Sequence, residues 1–115
     1  MLKDLTPQEL HDHLAAGAIT LIDVREPREY AAERIHGALL YPLSTFDPKN
    51  LPSEEGKPIV FHCGTGKRSG MAAEKYLVAR PGEAAHLAGG IKAWKEAGLP
   101  TIEIDPETGQ IIDRT

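Results

Sequence analysis

Pro58-Ile59-Val60-Phe61-His62-Cys63-Gly64-Thr65-Gly66-Lys67-Arg68-Ser69 is the stretch on which the fold turns. Its first half is a short apolar run, β-branched and aromatic, as in a strand buried on both faces of a sheet. The run breaks at Gly64 and Gly66. From Ser69 to Arg80 the chain is rich in helix formers, and Ser69 is placed to act as the N-cap. A buried strand, a glycine loop and a helix in that order make half of a parallel crossover unit.

The flanking sequence repeats that alternation. Thr6-Pro7-Gln8-Glu9 reads as a capping box with proline at the first helical position, and Leu5 and Leu10 stand where a hydrophobic staple would. That helix should run to about Ala15 and stop at Gly17. Ala18–Val24 reads as a buried strand, Pro27–Arg34 as a helix and Ala38–Tyr41 as a short strand. Leu43 to Lys57 is polar, punctuated by Pro48, Pro52 and Gly56, and reads as loop. Beyond the central helix come a strand at Ala84–Leu87, a helix at Gly90–Ala97 and a stop at Gly98-Leu99-Pro100. The expected class is α/β: an open, mostly parallel sheet with helices on both faces, occupying residues 1–100. Residues 101–115 differ. Ile102-Glu103-Ile104, the turn Asp105 to Gly109 and Gln110-Ile111-Ile112 predict a C-terminal β-hairpin that extends the same unit.

Composition narrows the function. The 115 residues fit one domain, and 41% hydrophobic with 26% charged residues is ordinary globular material. A net charge of −4 argues against nucleic-acid or anionic-membrane partners. No apolar run approaches the roughly 20 residues of a membrane helix. Met1-Leu2-Lys3-Asp4-Leu5 lacks the apolar core of a signal peptide, so a cytoplasmic location is expected. The single cysteine excludes an internal disulfide, a cysteine-rich zinc site and an internal resolving thiol, and no metal or cofactor is expected.

Cys63 ends the strongest strand, at the carboxyl edge of the predicted sheet, where open α/β folds place their ligands. The loop after it turns several backbone N–H groups toward one point, and the helix N-terminus adds positive potential there. Gly64 and Gly66 supply the dihedral freedom, and Lys67 and Arg68 add cationic charge. Such a cradle stabilises a thiolate and lowers the thiol's pKa. Cys63 is therefore the candidate catalytic nucleophile. Gly64, Thr65, Gly66, Lys67, Arg68 and Ser69 are the candidate anion-binding residues. A buried cysteine followed by a merely tight connection is the bland alternative. Two glycines, two cations and a helix start within seven residues weigh against it.

At this point the sequence resembles the rhodanese (sulfurtransferase) family. Leu21-Ile22-Asp23-Val24-Arg25-Glu26-Pro27-Arg28-Glu29-Tyr30, continuing to Ile35-His36-Gly37-Ala38, is similar to that family's N-terminal signature. The Cys63–Ser69 loop is similar to its active-site loop, and Leu87 to Trp94 with Gly98-Leu99-Pro100 to its C-terminal signature. The resemblance implies a single-domain sulfurtransferase. Cys63 would take a sulfane sulfur from thiosulfate or 3-mercaptopyruvate, carry it as a persulfide, and give it to cyanide, a small thiol or a sulfur-accepting protein. It also implies that Asp23 and Arg25 brace the loop region, with an ion pair between them and Glu29 equally plausible.

The sequence departs from the family pattern at Arg34 and His36, where histidine and proline are usual, and a structural effect is expected there. Cys63-Gly64-Thr65-Gly66 resembles the mercaptopyruvate branch, whereas Lys67-Arg68-Ser69 resembles single-domain forms, which leaves the donor open. The competing chemistry is a cysteine-based phosphatase or arsenate reductase, since His62-Cys63 and Arg68-Ser69-Gly70 resemble the ends of that signature. That signature has five residues between Cys and Arg. Here there are four, a loop sized for one sulfur rather than a tetrahedral phosphate. The other alternative is a sulfur-carrier or interaction module without turnover.

Other residues have plainer readings. His62 precedes Cys63 on a strand, so it faces the other way and reads as structural. His11 and His13 read as surface residues, Trp94 with Ile91 and Leu99 as core, and Glu54-Glu55 as solvated surface.

Overall fold

A computed structural model describes residues 1–51 and 56–114. Glu54 and Glu55, and part of the expected loop up to Lys57, lie outside the described residues. The chain runs β1 (Leu2–Leu5), α1 (Pro7–Ala15), β2 (Thr20–Asp23), α2 (Pro27–Ala32), β3 (Glu33–Arg34) and β4 (Leu39–Leu40). A single 3-10 turn follows at Leu43–Thr45. Then come β5 (Ile59–His62), α3 (Lys67–Ala79), β6 (Ala84–Leu87), α4 (Gly90–Glu96), β7 (Ile102–Ile104) and β8 (Ile111–Asp113).

Five strands form one sheet in the order β1-β6-β5-β2-β4, and every pairing in it is parallel. β5 is central and carries Cys63 just past its carboxyl end. Alternation along the strands splits the core in two. Leu21, Val60 and Leu87 face α1 and α4, packing with Leu10, Ile91 and Trp94. Ile22, Ile59, Phe61 and Cys63 face the other way, against Ala72 and Ala73 of α3. Helices thus cover both faces, as the alternation of elements predicts.

The capping box of α1 forms as read: Thr6 Oγ1 accepts from the Glu9 N–H at 3.1 Å, and Glu9 Oε1 accepts from the Thr6 N–H at 2.9 Å. Leu5, however, belongs to a strand. β1 pairs residue for residue with β6 at the sheet edge. An edge strand this short, with Lys3 and Asp4 at its middle, carries no apolar run to announce it.

Another expectation is corrected. The second helix stops at Ala32, and Glu33 and Arg34 are extended because their backbone pairs antiparallel with β7. The expected C-terminal hairpin forms, and with β3 it makes a second three-stranded sheet, β3-β7-β8. Ile102 is buried, and Glu33 accepts from Thr101 Oγ1 at 2.6 Å and from Lys95 Nζ at 2.8 Å. No helix among the described residues is long and apolar enough to cross a membrane.

Candidate active site

Cys63 is fully buried. Strand β5 ends at His62, and after four intervening residues α3 begins at Lys67. Gly66, with φ of 106°, is the N-cap, in a conformation that L side chains rarely adopt. Ser69 is therefore not the cap but the third residue of the helix. Its hydroxyl lies 3.2 Å from the Gly66 carbonyl, while the Gly70 N–H donates to the same carbonyl at 3.1 Å. Gly64 has no such backbone demand. It matters for space, since a Cβ there would sit 3.2 Å from an Arg68 guanidinium nitrogen.

This geometry closes the loop on the sulfur. The Gly66 N–H donates to Cys63 Sγ at 3.0 Å, and Ser69 Oγ lies 3.6 Å from it. Burial pushes the Cys63 thiol up. The Ser69 hydroxyl and the backbone N–H groups of Ser69, Gly66 and Thr65 push it down and prevail, so the thiol lies below its ordinary value. The acidifying groups are thus mainly neutral dipoles. Lys67 is exposed, as is Thr65, whose contribution comes from its backbone.

Arg68 is the cation turned into the site, and it is held there. Its two terminal nitrogens donate to both oxygens of Glu29, at 2.7 and 3.0 Å. Glu29 is itself fixed in the first turn of α2, where Oε1 also accepts from the Glu26 N–H at 3.0 Å. The Arg68 hydrogen bonds bring the Glu29 carboxyl down to about 2, with burial opposing. Glu29→Gln removes the charge and leaves Arg68 free to swing. The expected result is a several-fold rise in KM for an anionic donor with little change in kcat, measured by steady-state kinetics. The same pair sets an acid limit. A depressed carboxylate contributes stability above its ordinary 4.5 and loses it as pH falls toward 2, so acid unfolding of the Glu29→Gln protein should vary less across that window.

The Asp23 carboxylate lies beneath the site. Arg25 donates to it from its backbone N–H at 3.0 Å, from Nε at 3.0 and 3.1 Å, and from Nη2 at 2.8 Å. Arg25 Nη2 also reaches the Glu33 carbonyl at 2.6 Å. The pair ties the end of β2 to the end of α2, the helix that presents Glu29. Arg25 thus pairs with Asp23, and Glu29 with Arg68. His62 is fully buried on the face opposite the thiol, with Nε2 3.4 Å from Asp23 Oδ2 and Nδ1 3.3 Å from the Cys63 carbonyl. Burial pushes its pKa down, so it is a neutral structural residue.

α4 closes the loop from above. The Ile91 N–H donates to the Cys63 carbonyl at 2.9 Å and the Lys92 N–H to the Gly64 carbonyl at 3.2 Å. Gly90, at φ of 64°, permits that approach, since a Cβ there would lie 2.5 Å from backbone atoms of Cys63 and Gly64. Sequence reasoning missed Gly90, His86 and Asp4, and it offered Glu29 as a partner for Asp23 and Arg25 rather than for Arg68. Only His86 left a local trace, a polar residue in a short apolar strand.

The remaining candidates fall elsewhere. Arg34 stacks its guanidinium over Tyr30, 5.2 Å from the ring centre. His36 lines a cavity of about 460 Å³ with His11, Leu14 and Trp94, and Cys63 is not among its lining residues. Trp94 is core, with Nε1 donating to the Pro100 carbonyl at 2.9 Å. No group of three or more potential metal ligands occurs among the described residues.

The Rhodanese-like domain family matches residues 6–97. An uncharacterized protein of Synechocystis is 41% identical over 86% of this chain and 55% of its own length. The probable adenylyltransferase/sulfurtransferase MoeZ of Mycobacterium tuberculosis is 39% identical over 85% of this chain and 26% of its own. The chain thus spans about half of the first relative and a quarter of the second. A sulfurtransferase of Allochromatium vinosum is 29% identical over 89% of this chain and 96% of its own. Among solved structures, a rhodanese-related protein of Thermoplasma volcanium superposes with a TM-score of 0.73 at 30% identity, covering 86% of this chain and 96% of that one. A rhodanese-like domain from Anabaena covers 100% of this chain and 90% of its own, with a TM-score of 0.76 at 26% identity, so the likeness extends through the hairpin. The family match runs from the N-cap of α1 to the C-cap of α4, leaving out only β1 and the β7–β8 hairpin, and the chain therefore belongs to the Rhodanese-like domain family.

Proposed function

We propose that the protein is a sulfurtransferase that moves sulfane sulfur from thiosulfate or 3-mercaptopyruvate to cyanide or a thiol by way of a Cys63 persulfide. The observation that supports it most is the Gly66 N–H at 3.0 Å from a buried, acidified Cys63 Sγ. In the first step the Cys63 thiolate attacks the donor's transferable sulfur; with 3-mercaptopyruvate the C–S bond breaks and pyruvate leaves as its enolate with the electron pair. With thiosulfate the donor's S–S bond breaks and sulfite leaves with its electron pair. The terminal sulfur of the persulfide is anionic, and backbone N–H groups of the loop stabilise it as an oxyanion hole would. In the second step the acceptor attacks that terminal sulfur and the Cys63 thiolate returns, giving ping-pong kinetics. Gly64, Thr65, Gly66 and Ser69 shape the cradle, while Lys67 and Arg68 draw the anionic donor to it. The cycle calls on no metal, cofactor, nucleic acid or membrane, and a thiol kept reduced suits the cytoplasm.

A carrier that docks on a protein acceptor is the second reading. It is favoured by the mycobacterial relative, in which the matching region is about a quarter of a longer adenylyltransferase/sulfurtransferase. Paired assays separate the two: thiosulfate with cyanide, and thiosulfate with a protein thiol. Turnover with cyanide or a small thiol supports the enzyme, and transfer to the protein thiol alone supports the carrier. An aryl phosphate in a third arm should stay intact, because four loop residues leave no room for three phosphoryl oxygens and their donors. Hydrolysis of it at a rate comparable to sulfur transfer would overturn the sulfurtransferase reading.

A further inference from the structure

We infer that Asp4, His86 and Ser69 form a relay that takes the proton from Cys63 and carries it to solvent. The inference rests on Cys63 being the nucleophile of the reaction proposed above. It starts from the sheet register. Asp4 of β1 and His86 of β6 are directly paired on neighbouring parallel strands, so their side chains lie side by side. His86 Nε2 is 2.8 Å from Asp4 Oδ1, His86 Nδ1 is 2.9 Å from Ser69 Oγ, and Ser69 Oγ is 3.6 Å from Cys63 Sγ.

Hydrogen-bond chemistry gives this chain a direction. The Asp4 carboxylate only accepts, so Nε2 of a neutral His86 carries the proton and Nδ1 is the acceptor. The Ser69 hydroxyl then donates to Nδ1 and turns a lone pair toward Sγ. The Gly66 carbonyl is the competing acceptor, at 3.2 Å. In the transfer, the Cys63 S–H bond breaks and its proton passes to Ser69 Oγ. The original Ser69 hydroxyl proton passes to His86 Nδ1. Cys63 keeps the electron pair as a thiolate, and the imidazolium, held against the exposed Asp4 carboxylate, gives its Nε2 proton through that carboxylate to water, which returns His86 to the neutral ring. Ser69 touches the reacting sulfur, whereas His86 and Asp4 act through it as positioning residues.

Burial explains why such a path is needed. Cys63 is wholly covered, the His86 side chain is 12% exposed and that of Asp4 71% exposed, so the chain leads from a dry thiol to water. The charged and titratable groups near its inner end are Arg68, paired with Glu29, and His62 with Asp23 and Arg25 beneath. Arg68 is always charged, and His62 lies on the far face of β5, so neither offers a base on the thiol side.

Alkylation of Cys63 by iodoacetamide, followed against pH, tests the relay without any sulfur donor. His86→Asn and Ser69→Ala should each slow alkylation at neutral pH about tenfold, moving the apparent thiol pKa upward by about one. The double variant should be no slower than the slower single one, because both changes cut one chain. Asp4→Asn, at an exposed position, should move the profile the same way by less and serves if His86→Asn does not fold. Unchanged profiles, or single effects that add in the double variant, would overturn the relay. If the relay variants behave as expected but the native protein takes up no sulfur from thiosulfate or 3-mercaptopyruvate, the relay stands and the sulfurtransferase reading fails.

Discussion

Cys63→Ser should abolish sulfur uptake and lower turnover by on the order of 10⁴-fold or more, the usual cost of deleting a covalent nucleophile. Serine keeps nearly the same shape, so the Gly66 N–H and the Ser69 hydroxyl retain a partner and the loop keeps its path. What is lost is the acidified thiolate. A hydroxyl in the same cradle stays protonated at neutral pH and cannot form a persulfide. Thermal unfolding of the variant should fall close to that of the native protein, which separates lost chemistry from lost structure. Substantial turnover by a folded Cys63→Ser protein would mean that the reaction proceeds elsewhere.

The second large effect comes from a residue that does no chemistry. Gly90→Ala places a methyl group 2.5 Å from the Cys63 carbonyl oxygen and from the Gly64 carbonyl group. Backbone cannot give way as a flexible side chain would. The left-handed backbone costs about 1–2 kcal/mol for alanine, and overpacking adds about 1–3 kcal/mol. Relief requires α4 and the loop to separate, which breaks the Ile91 and Lys92 hydrogen bonds to the Cys63 and Gly64 carbonyls. The Gly66 N–H then moves off the sulfur. The expected outcome is a melting temperature lower by about 10 °C and sulfur transfer reduced at least about tenfold. A Gly90→Ala protein with native melting temperature and activity would show that α4 does not hold the loop.

The reach of sequence reasoning here follows the distance over which each feature is encoded. The α1 capping box spans residues 6–9, and the β5–loop–α3 unit is written in twelve consecutive residues, so both are visible as local pattern. Cys63, the loop glycines and Ser69 belong to the same short stretch. The Ser69 cap was misplaced because Gly66 in a left-handed conformation starts the helix earlier, and nothing in local propensity distinguishes the two starts. The contacts that escaped are long-range. Arg68 meets Glu29 across 39 residues, Ser69 meets His86 across 17, and His86 meets Asp4 across 82. β3 exists only because β7 arrives beside it from 68 residues or more away. Two residues of strand have no periodicity of their own, and a carboxylate on a helix surface looks the same whether it meets water or an arginine.

The most direct test of the central claim is the intact mass of the native protein after exposure to thiosulfate and, separately, to 3-mercaptopyruvate. With one or both donors the mass should rise by a single sulfur atom, the gain should vanish on adding cyanide or a reducing thiol, and Cys63→Ser should show none. No added sulfur with either donor, or sulfur that persists in the Cys63→Ser protein, would contradict a persulfide carried on Cys63.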